Sequence, residues 1–278
     1  MDFLKNANRL IEQFEETITQ PLPVKKGSKL YTGVDLGTAY IVLAVVDEKG
    51  QPVTGAMQYA EVVKDGLIVD YVGAVNMVKK LKAQVEEKLG VELETAGAAY
   101  PPGTAVGDRK AIQYVAEGAG FEVTRLVDEP TGANQVLGIK DGAVVDIGGG
   151  TTGIAVLKDG KVIYVGDEPT GGTHFSLVVA GAYHVSFAEA EKMKTEKSRH
   201  KELLPVVKPV MQKVASIIGR HIEKYHVDHI YLAGGTSCFT DIEKVVEAEV
   251  GVPTYKPGNP FLVTPLGIAL SAAANREG

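Results

Sequence analysis

Two stretches of this chain carry aspartate, glycine and threonine in the same order. One reads Val34-Asp35-Leu36-Gly37-Thr38, the other Val145-Asp146-Ile147-Gly148-Gly149-Gly150-Thr151. In each, an apolar run reaches the acid, the chain turns at glycine, and a second apolar run follows. Glycine at such a tip lets the backbone approach a ligand closely. Successive backbone N–H groups in a tight turn form a concavity that accepts anions, phosphate included. The threonine hydroxyls (Thr152 follows Thr151) add further donors. The aspartates have another task, because a carboxylate beside phosphate needs a divalent cation between the two. Mg²⁺ suits that place: it takes one or two carboxylates and completes its shell with water and phosphate oxygens. Two such tips facing each other would clamp a polyphosphate. Either tip alone also reads as an ordinary turn. The ordered repetition of strand, acid, glycine turn and strand carries the argument.

Three further segments fit around these tips. Gly234-Gly235-Thr236-Ser237 follows the apolar run ending at Ala233 and precedes a predicted helix, a junction suited to another part of a nucleotide. Gly171-Gly172-Thr173 is a similar junction. Asp128-Glu129-Pro130 opens a helix, with Pro130 pre-organised for the first turn. A carboxylate there is a good helix cap, and it is equally placed to orient a water attacking phosphate.

The elements that must position these residues follow from periodicity. Strands are expected at 30–36, 41–46, 96–99, 121–127, 143–147, 154–157, 162–165 and 229–233. Helices are expected at 71–89, 109–118, 173–183, 188–196, 204–225, 241–249 and from 265 onward. Asp47-Glu48-Lys49-Gly50 and Lys158-Asp159-Gly160-Lys161 are the matching turns after each repeated strand pair. The repeat implies two similar α/β domains. Residues 1–20 stand apart: Phe3, Leu4, Ala7, Leu10, Ile11, Phe14 and Ile18 recur at helical spacing. Pro21, Pro23 and Gly27 end that helix. Its apolar face either packs on the body or docks on a partner.

Composition narrows the function classes. The 278 residues are 45% hydrophobic, enough for a sizeable core. A net charge of −6 gives no electrostatic case for nucleic acid or an anionic membrane. The single cysteine, Cys238, makes no internal disulfide. There is neither a transmembrane-length apolar run nor a signal-peptide pattern at the N-terminus, so a soluble cytoplasmic protein is expected. His221, His226 and His229 lack the companions of a zinc site. The 32 glycines exceed the roughly 19 expected at about 7% usage, and the tips and turns above, with Gly33 and Gly153, take up much of the surplus.

Read in order, the motif Gly33 to Thr38, Asp128-Glu129-Pro130-Thr131, Asp146 to Thr151 and Leu232-Ala233-Gly234-Gly235 resemble the phosphate-1, connect-1, phosphate-2 and adenosine motifs of the actin/Hsp70 ATPase superfamily. Asn259-Pro260 and Pro265-Leu266-Gly267-Ile268-Ala269 resemble its closing connect-2 helix. The resemblance spans about residues 30–275. It implies an α/β, actin-like (ribonuclease H-like) fold of two duplicated domains around a nucleotide cleft. Residues 1–27 would be an N-terminal helix and linker, 28–138 domain I, 139–262 domain II, and 263–278 a helix crossing back to domain I. Helices at 131–138 and 265–275 would cross at the hinge. Within the superfamily, Val62-Val63-Lys64-Asp65-Gly66, Tyr100-Pro101-Pro102-Gly103-Thr104 and Val207-Lys208-Pro209-Val210 are similar to a family of chaperone-like ATPases of ethanolamine utilization, encoded with a bacterial microcompartment.

The resemblance also implies roles. ATP or ADP would lie in the cleft with Mg²⁺. Leu36, Gly37, Thr38, Gly148, Gly149, Gly150 and Thr151 would hold phosphates. Asp35 and Asp146 would hold the metal, directly or through water. Glu129, with Asp146, would serve hydrolysis by positioning water. Gly234 and Gly235 would face adenosine, joined by Glu191 and Lys194, which match a ribose-contacting helix of bacterial actins. A protein partner is implied, an enzyme of the pathway or a microcompartment shell protein. Two departures stand out. Gly153 occupies a place where Hsp70 proteins carry an acid, and Lys64, Lys79 and Lys80 are unaligned candidates for the Hsp70 catalytic lysine. Nucleotide binding is therefore better supported than fast hydrolysis. A filament-forming scaffold and a non-hydrolysing pseudo-ATPase are the alternatives; a small-molecule kinase lacks an acceptor-site acid.

Overall fold

The computed structural model describes residues 4–274. The chain begins with α1 (Lys5–Thr19), then β1 (Leu30–Leu36), β2 (Tyr40–Asp47), β3 (Pro52–Tyr59) and a small hairpin, β4 (Val63–Lys64) and β5 (Leu67–Ile68). It continues with α2 (Tyr71–Leu89), β6 (Thr95–Tyr100), α3 (Val106–Gly118), β7 (Glu122–Asp128) and α4 (Glu129–Leu137). The second half holds β8 (Gly142–Ile147), β9 (Thr152–Lys158), β10 (Lys161–Glu168), α5 (Gly172–Tyr183), α6 (Phe187–Thr195), α7 (His200–Ile222), β11 (Ile230–Ala233), α8 (Ile242–Val250), β12 (Thr254–Tyr255) and α9 (Val263–Ala273).

Two five-stranded sheets carry the duplication. Their orders are β3-β2-β1-β6-β7 and β10-β9-β8-β11-β12. In each, the first three strands in sequence form an antiparallel meander and the last two add in parallel on the far side. β2 and β8 are almost wholly apolar and buried, as strands covered on both faces must be. Asp35 and Asp146 hold the same place, one residue before the end of the first strand of each sheet.

Local signals explain the helix boundaries that position the site. Asp128 caps α4 by accepting from Thr131 N at 3.0 Å, and Pro130 sits in the first turn. Ser186 and Glu189 form a capping box on α6. The meander strand β3, the β4–β5 hairpin and β12 were not expected from sequence. The short strands lack a period long enough to read, and β3 follows its turn with glycine, alanine and polar residues rather than an apolar run.

Each half has its own apolar core, and a third cluster joins them. α4 and α9 cross within it, between the sheets. Gly33, in mid-β1, serves that crossing: a Cβ there would overlap the Pro265 carbonyl oxygen and Ala269 N of α9. Its glycine therefore belongs to helix packing and not to the nucleotide tip. The same cluster takes up α1, whose Ala7, Ile11 and Phe14 are buried. Phe14 lies against Gly55 of β3, where a Cβ would stand 2.8 Å from the ring. The apolar face of α1 thus packs on the body. Phe3 and the residues after Ala274 lie outside the described residues.

Candidate nucleotide cleft

One cleft of about 800 Å³ lies between the two sheets, and most of the residues singled out above border it; Thr152, Gly171, Gly172, Thr173 and Ser237 do not, and the Thr152 hydroxyl donates to the Thr170 carbonyl at 2.6 Å instead. Asp35, Leu36, Gly37 and Thr38 come from the β1–β2 tip. Glu129 comes from the start of α4. Asp146, Gly148, Gly149, Gly150 and Thr151 come from the β8–β9 tip. Glu191 and Lys194 come from α6, and Gly234 and Gly235 from the end of β11.

The two tips meet. A Cβ on Gly149 would stand 3.2 Å from Thr38 Cβ, and one on Gly150 would stand 2.7 Å from Thr38 Oγ1. Behind the second tip, the Gly148 carbonyl accepts from Gly172 N at 3.0 Å and from Thr236 Oγ1 at 2.7 Å, while the Gly149 carbonyl accepts from Thr173 N at 2.8 Å. The Gly171-Gly172-Thr173 junction therefore spends its amides on the loop, not on a ligand. With these two carbonyls held from behind, Gly149 and Gly150 N–H have no backbone acceptor among the described residues. The Gly234-Gly235 junction enters a single 3₁₀ turn, Gly235–Cys238, and the helix expected at 241–249 follows as α8, Ile242–Val250. Gly234, at φ +87, is pressed against Asp146 and the Ile147 carbonyl, a place with no room for a side chain.

Four carboxylates gather beneath the tips. Burial, then the charge of Asp146, pushes Asp35 up to about 7. Burial pushes Asp146 up to about 6, opposed by a hydrogen bond from Thr264. Glu129 is raised well above the usual range by burial and by Asp146, Asp35 and Asp167. Asp167, which sequence reasoning passed over, is raised to about 7 by burial, a hydrogen bond from Thr151 working against the rise. It lies beyond the apolar residues 162–165, because β10 runs on to Glu168. Among the described residues, no three acids, histidines or cysteines stand as a ready ligand group. An all-oxygen set with surplus negative charge still fits Mg²⁺ held through water, the mode this ion favours.

At the other end, Lys194 Nζ donates to Glu191 at 2.7 Å and to the Gly172 carbonyl at 3.2 Å. Ser176 Oγ donates to the same Glu191. Both α6 residues border the cleft, but they are spent on each other. His200 Nδ1 accepts from Thr240 N at 3.0 Å, which leaves Nε2–H for the Lys194 carbonyl, 2.9 Å away. Its ring stacks on Phe239 at 4.0 Å, and burial holds its pKa below the usual histidine value. Tyr40 and Phe261 meet edge to face at 5.5 Å, joining the two halves at the cleft. α1 adds to this edge: Glu15 accepts from Asn259 Nδ2 at 3.0 Å and Asn8 Oδ1 from Gly258 N at 2.9 Å. The β4–β5 tip covers the loop, since a Cβ on Gly150 would meet Asp65 N at 2.9 Å. Lys64, Lys79 and Lys80 are not among the residues bordering the cleft.

Comparison with known proteins agrees with this architecture. A family model described as type IV pilus assembly protein PilM matches residues 130–266. Ethanolamine utilization protein EutJ of Salmonella typhimurium is 41% identical over 257 residues, covering 92% of this chain and 90% of that protein. The crystal structure of EutJ from Carboxydothermus hydrogenoformans superposes with a TM-score of 0.89 at 46% identity, covering 97% of this chain and 99% of that one. MreB5 of Spiroplasma citri, solved bound to ADP, gives a TM-score of 0.68 at 18% identity over 86% of this chain and 94% of its own, a likeness of fold. The described residues hold no helix long and apolar enough to cross a membrane.

Proposed function

The chain belongs to the family of ethanolamine utilization protein EutJ, within the actin/Hsp70 ATPase superfamily, and from that premise we propose that it binds ATP with Mg²⁺ in the cleft between its halves. The β1–β2 and β8–β9 tips hold the phosphates. Asp35 and Asp146 face the metal through water, Glu129 orients the attacking water, and Gly234, Gly235, Glu191 and Lys194 border adenosine. When bound, Mg²⁺ would screen the phosphate charge from the carboxylates. ATP touching both halves favours the closed arrangement, and loss of the γ-phosphate releases it. That motion is the output: a chaperone-like, reactivation or assembly step of ethanolamine utilization, exerted in the cytoplasm on a pathway enzyme or a microcompartment shell protein.

The contact of Thr38 with Gly149 and Gly150 is the observation that carries this reading. It brings the two phosphate tips of two separate sheets to one point. Calorimetry tests it: the parent chain binds ATP in Mg²⁺, and Asp146→Ala loses the Mg²⁺-dependent part. Unchanged binding by that variant would sink the metal assignment. A pull-down with and without ATP tests the partner.

One observation favours a second reading, a nucleotide switch that hydrolyses little. Of three lysines bordering the cleft, Lys194, Lys197 and Lys256, the first and last are paired with Glu191 and Glu243, at 2.7 and 2.8 Å. A single-turnover assay of phosphate release separates the two readings.

A further inference from the structure

The connection between β12 and α9, residues 256–262, grips the turn at 234–239 at four points. Lys256 Nζ donates to the Ser237 carbonyl at 3.2 Å and to the Phe239 carbonyl at 2.8 Å. The Pro260 carbonyl accepts from Gly234 N at 3.0 Å, and Asn259 Oδ1 accepts from Cys238 Sγ at 3.8 Å. Lys256, Gly258, Asn259 and Pro260 all border the cleft. The turn assigned to the nucleoside therefore takes its place from this connection.

The connection is itself held from outside, by α1. Asn8 Oδ1 accepts from Gly258 N at 2.9 Å, and Glu15 accepts from Asn259 Nδ2 at 3.0 Å. Asn8 and Glu15 are seven residues apart, about two turns of helix, so they share one stripe. The neighbouring stripe, Ala7, Ile11 and Phe14, is buried, with Phe14 against Gly55 of β3. One helix thus rests its apolar side on the first sheet and holds, with its polar side, a connection that leaves the second sheet at β12. Glu15 also reaches the cleft itself.

The apolar stripe accounts for the packing on β3. The polar stripe has a separate target: its two bonds go to adjacent residues of one connection, on the cleft side. Gly258 is exposed and has no side chain to anchor it. Asn259 is the shared member, its amide nitrogen spent on Glu15 and its amide oxygen on Cys238. The two ends of a planar amide move together, so the acceptor on α1 fixes which way the oxygen faces.

We propose that Asn8 and Glu15 are positioning residues of the nucleotide site: from α1 they set Gly258 and Asn259, and through them the turn at 234–239, for the nucleoside part of ATP, leaving the phosphates to the two tips. The proposal rests on the nucleotide reading above. Loss of both bonds should weaken ATP binding about 3–10-fold, the net worth of about one hydrogen bond.

The test compares ATP with inorganic tripolyphosphate, each in Mg²⁺, by calorimetry on the full chain. The double variant Asn8→Ala, Glu15→Ala leaves the apolar stripe intact and puts the best helix former at both positions, which favours a folded α1. It should bind ATP about 3–10-fold more weakly and tripolyphosphate as the parent does. Glu15→Gln keeps an oxygen acceptor for Asn259 and should lose less than Glu15→Ala. Equal ATP affinity in parent and double variant overturns the role of α1 and leaves the nucleotide reading standing. Equal weakening toward both ligands also overturns the role, since the effect then lies in the fold or the phosphate tips. A parent that binds neither ligand overturns both.

Discussion

Thr264 donates its hydroxyl hydrogen to Asp146, so the acid of the second phosphate tip is tied to the first turn of α9. That helix lies on β1 and crosses α4 between the sheets. The bond therefore couples the charge in the cleft to the element that joins the halves. Thr264→Val keeps the shape and removes the donor. Depriving a buried acceptor of its partner costs about 1–3 kcal/mol. Thermal unfolding should show the variant less stable, with the larger loss at pH 8, where Asp146 is ionised, than at pH 5. Equal losses at the two pH values would remove the carboxylate from the account.

The carboxylate cluster makes a pH prediction of definite sign. Asp35 and Asp167 are pushed up to about 7 and Asp146 to about 6, chiefly by burial. In the unfolded chain these groups titrate near 4. Between those values the folded state holds protons that the unfolded state has released, so stability falls as pH rises. The contribution is complete below about pH 4 and lost through pH 6–7. In metal-free buffer the melting temperature should therefore rise as pH is lowered from 8 toward 5. Mg²⁺ with ATP should flatten the slope by stabilising the charged forms. A melting temperature that falls over this range would contradict the assignment.

Glu129 stands at the first position of α4, held among Asp35, Asp146 and Asp167. As the residue that orients water, it should matter to chemistry more than to binding. Glu129→Gln should leave the ATP dissociation constant within a few-fold, by calorimetry. It should slow single-turnover hydrolysis by about 10²–10⁴-fold, the usual worth of a general base. An unchanged rate would move the role elsewhere in the cleft.

The crossing of α4 and α9 rests on two glycines. A Cβ on Gly267 would overlap the Gly132 carbonyl oxygen. Gly267→Ala should cost at least the 1–3 kcal/mol typical of overpacking, read from the denaturant midpoint. Gly181, in α5, has open space around its would-be Cβ. Gly181→Ala should stabilise by about 0.4–1 kcal/mol through the unfolded chain. Similar midpoints for the two variants would mean that the crossing gives way easily.

How much of this was legible beforehand follows from distance along the chain. The tips at 36–38 and 148–151, the helix start at Asp128-Glu129-Pro130 and the repeat of the two halves are local patterns. Strand, turn and cap chemistry act over a few residues, so residue order alone displays them. The same holds for α2, whose stripe and capping Asp70 and Gly90 frame 71–89. β3 and the β4–β5 hairpin escaped notice because partners elsewhere in the sheet, or a short reverse turn, define them. Gly33 and Gly153 were legible as glycines but not as to purpose. One makes way for α9 and the other for Pro102 and Pro130.

The sequence by itself determined the class of fold, the two aspartate–glycine tips and some of the residues that border the cleft. Only the tertiary structure decided that Thr38 touches Gly150, that Thr264 holds Asp146, that α1 spends its apolar face on β3 and the core, and that Asp167 answers Asp146 across Gly153. The reason is physical. Each of these pairs joins separate segments of the chain, and the local pattern of one member does not name the other. Their meaning comes from sheet register and helix crossing, which place a donor against a buried acceptor or two acids on one face of a sheet, and those arise only when the whole chain has packed.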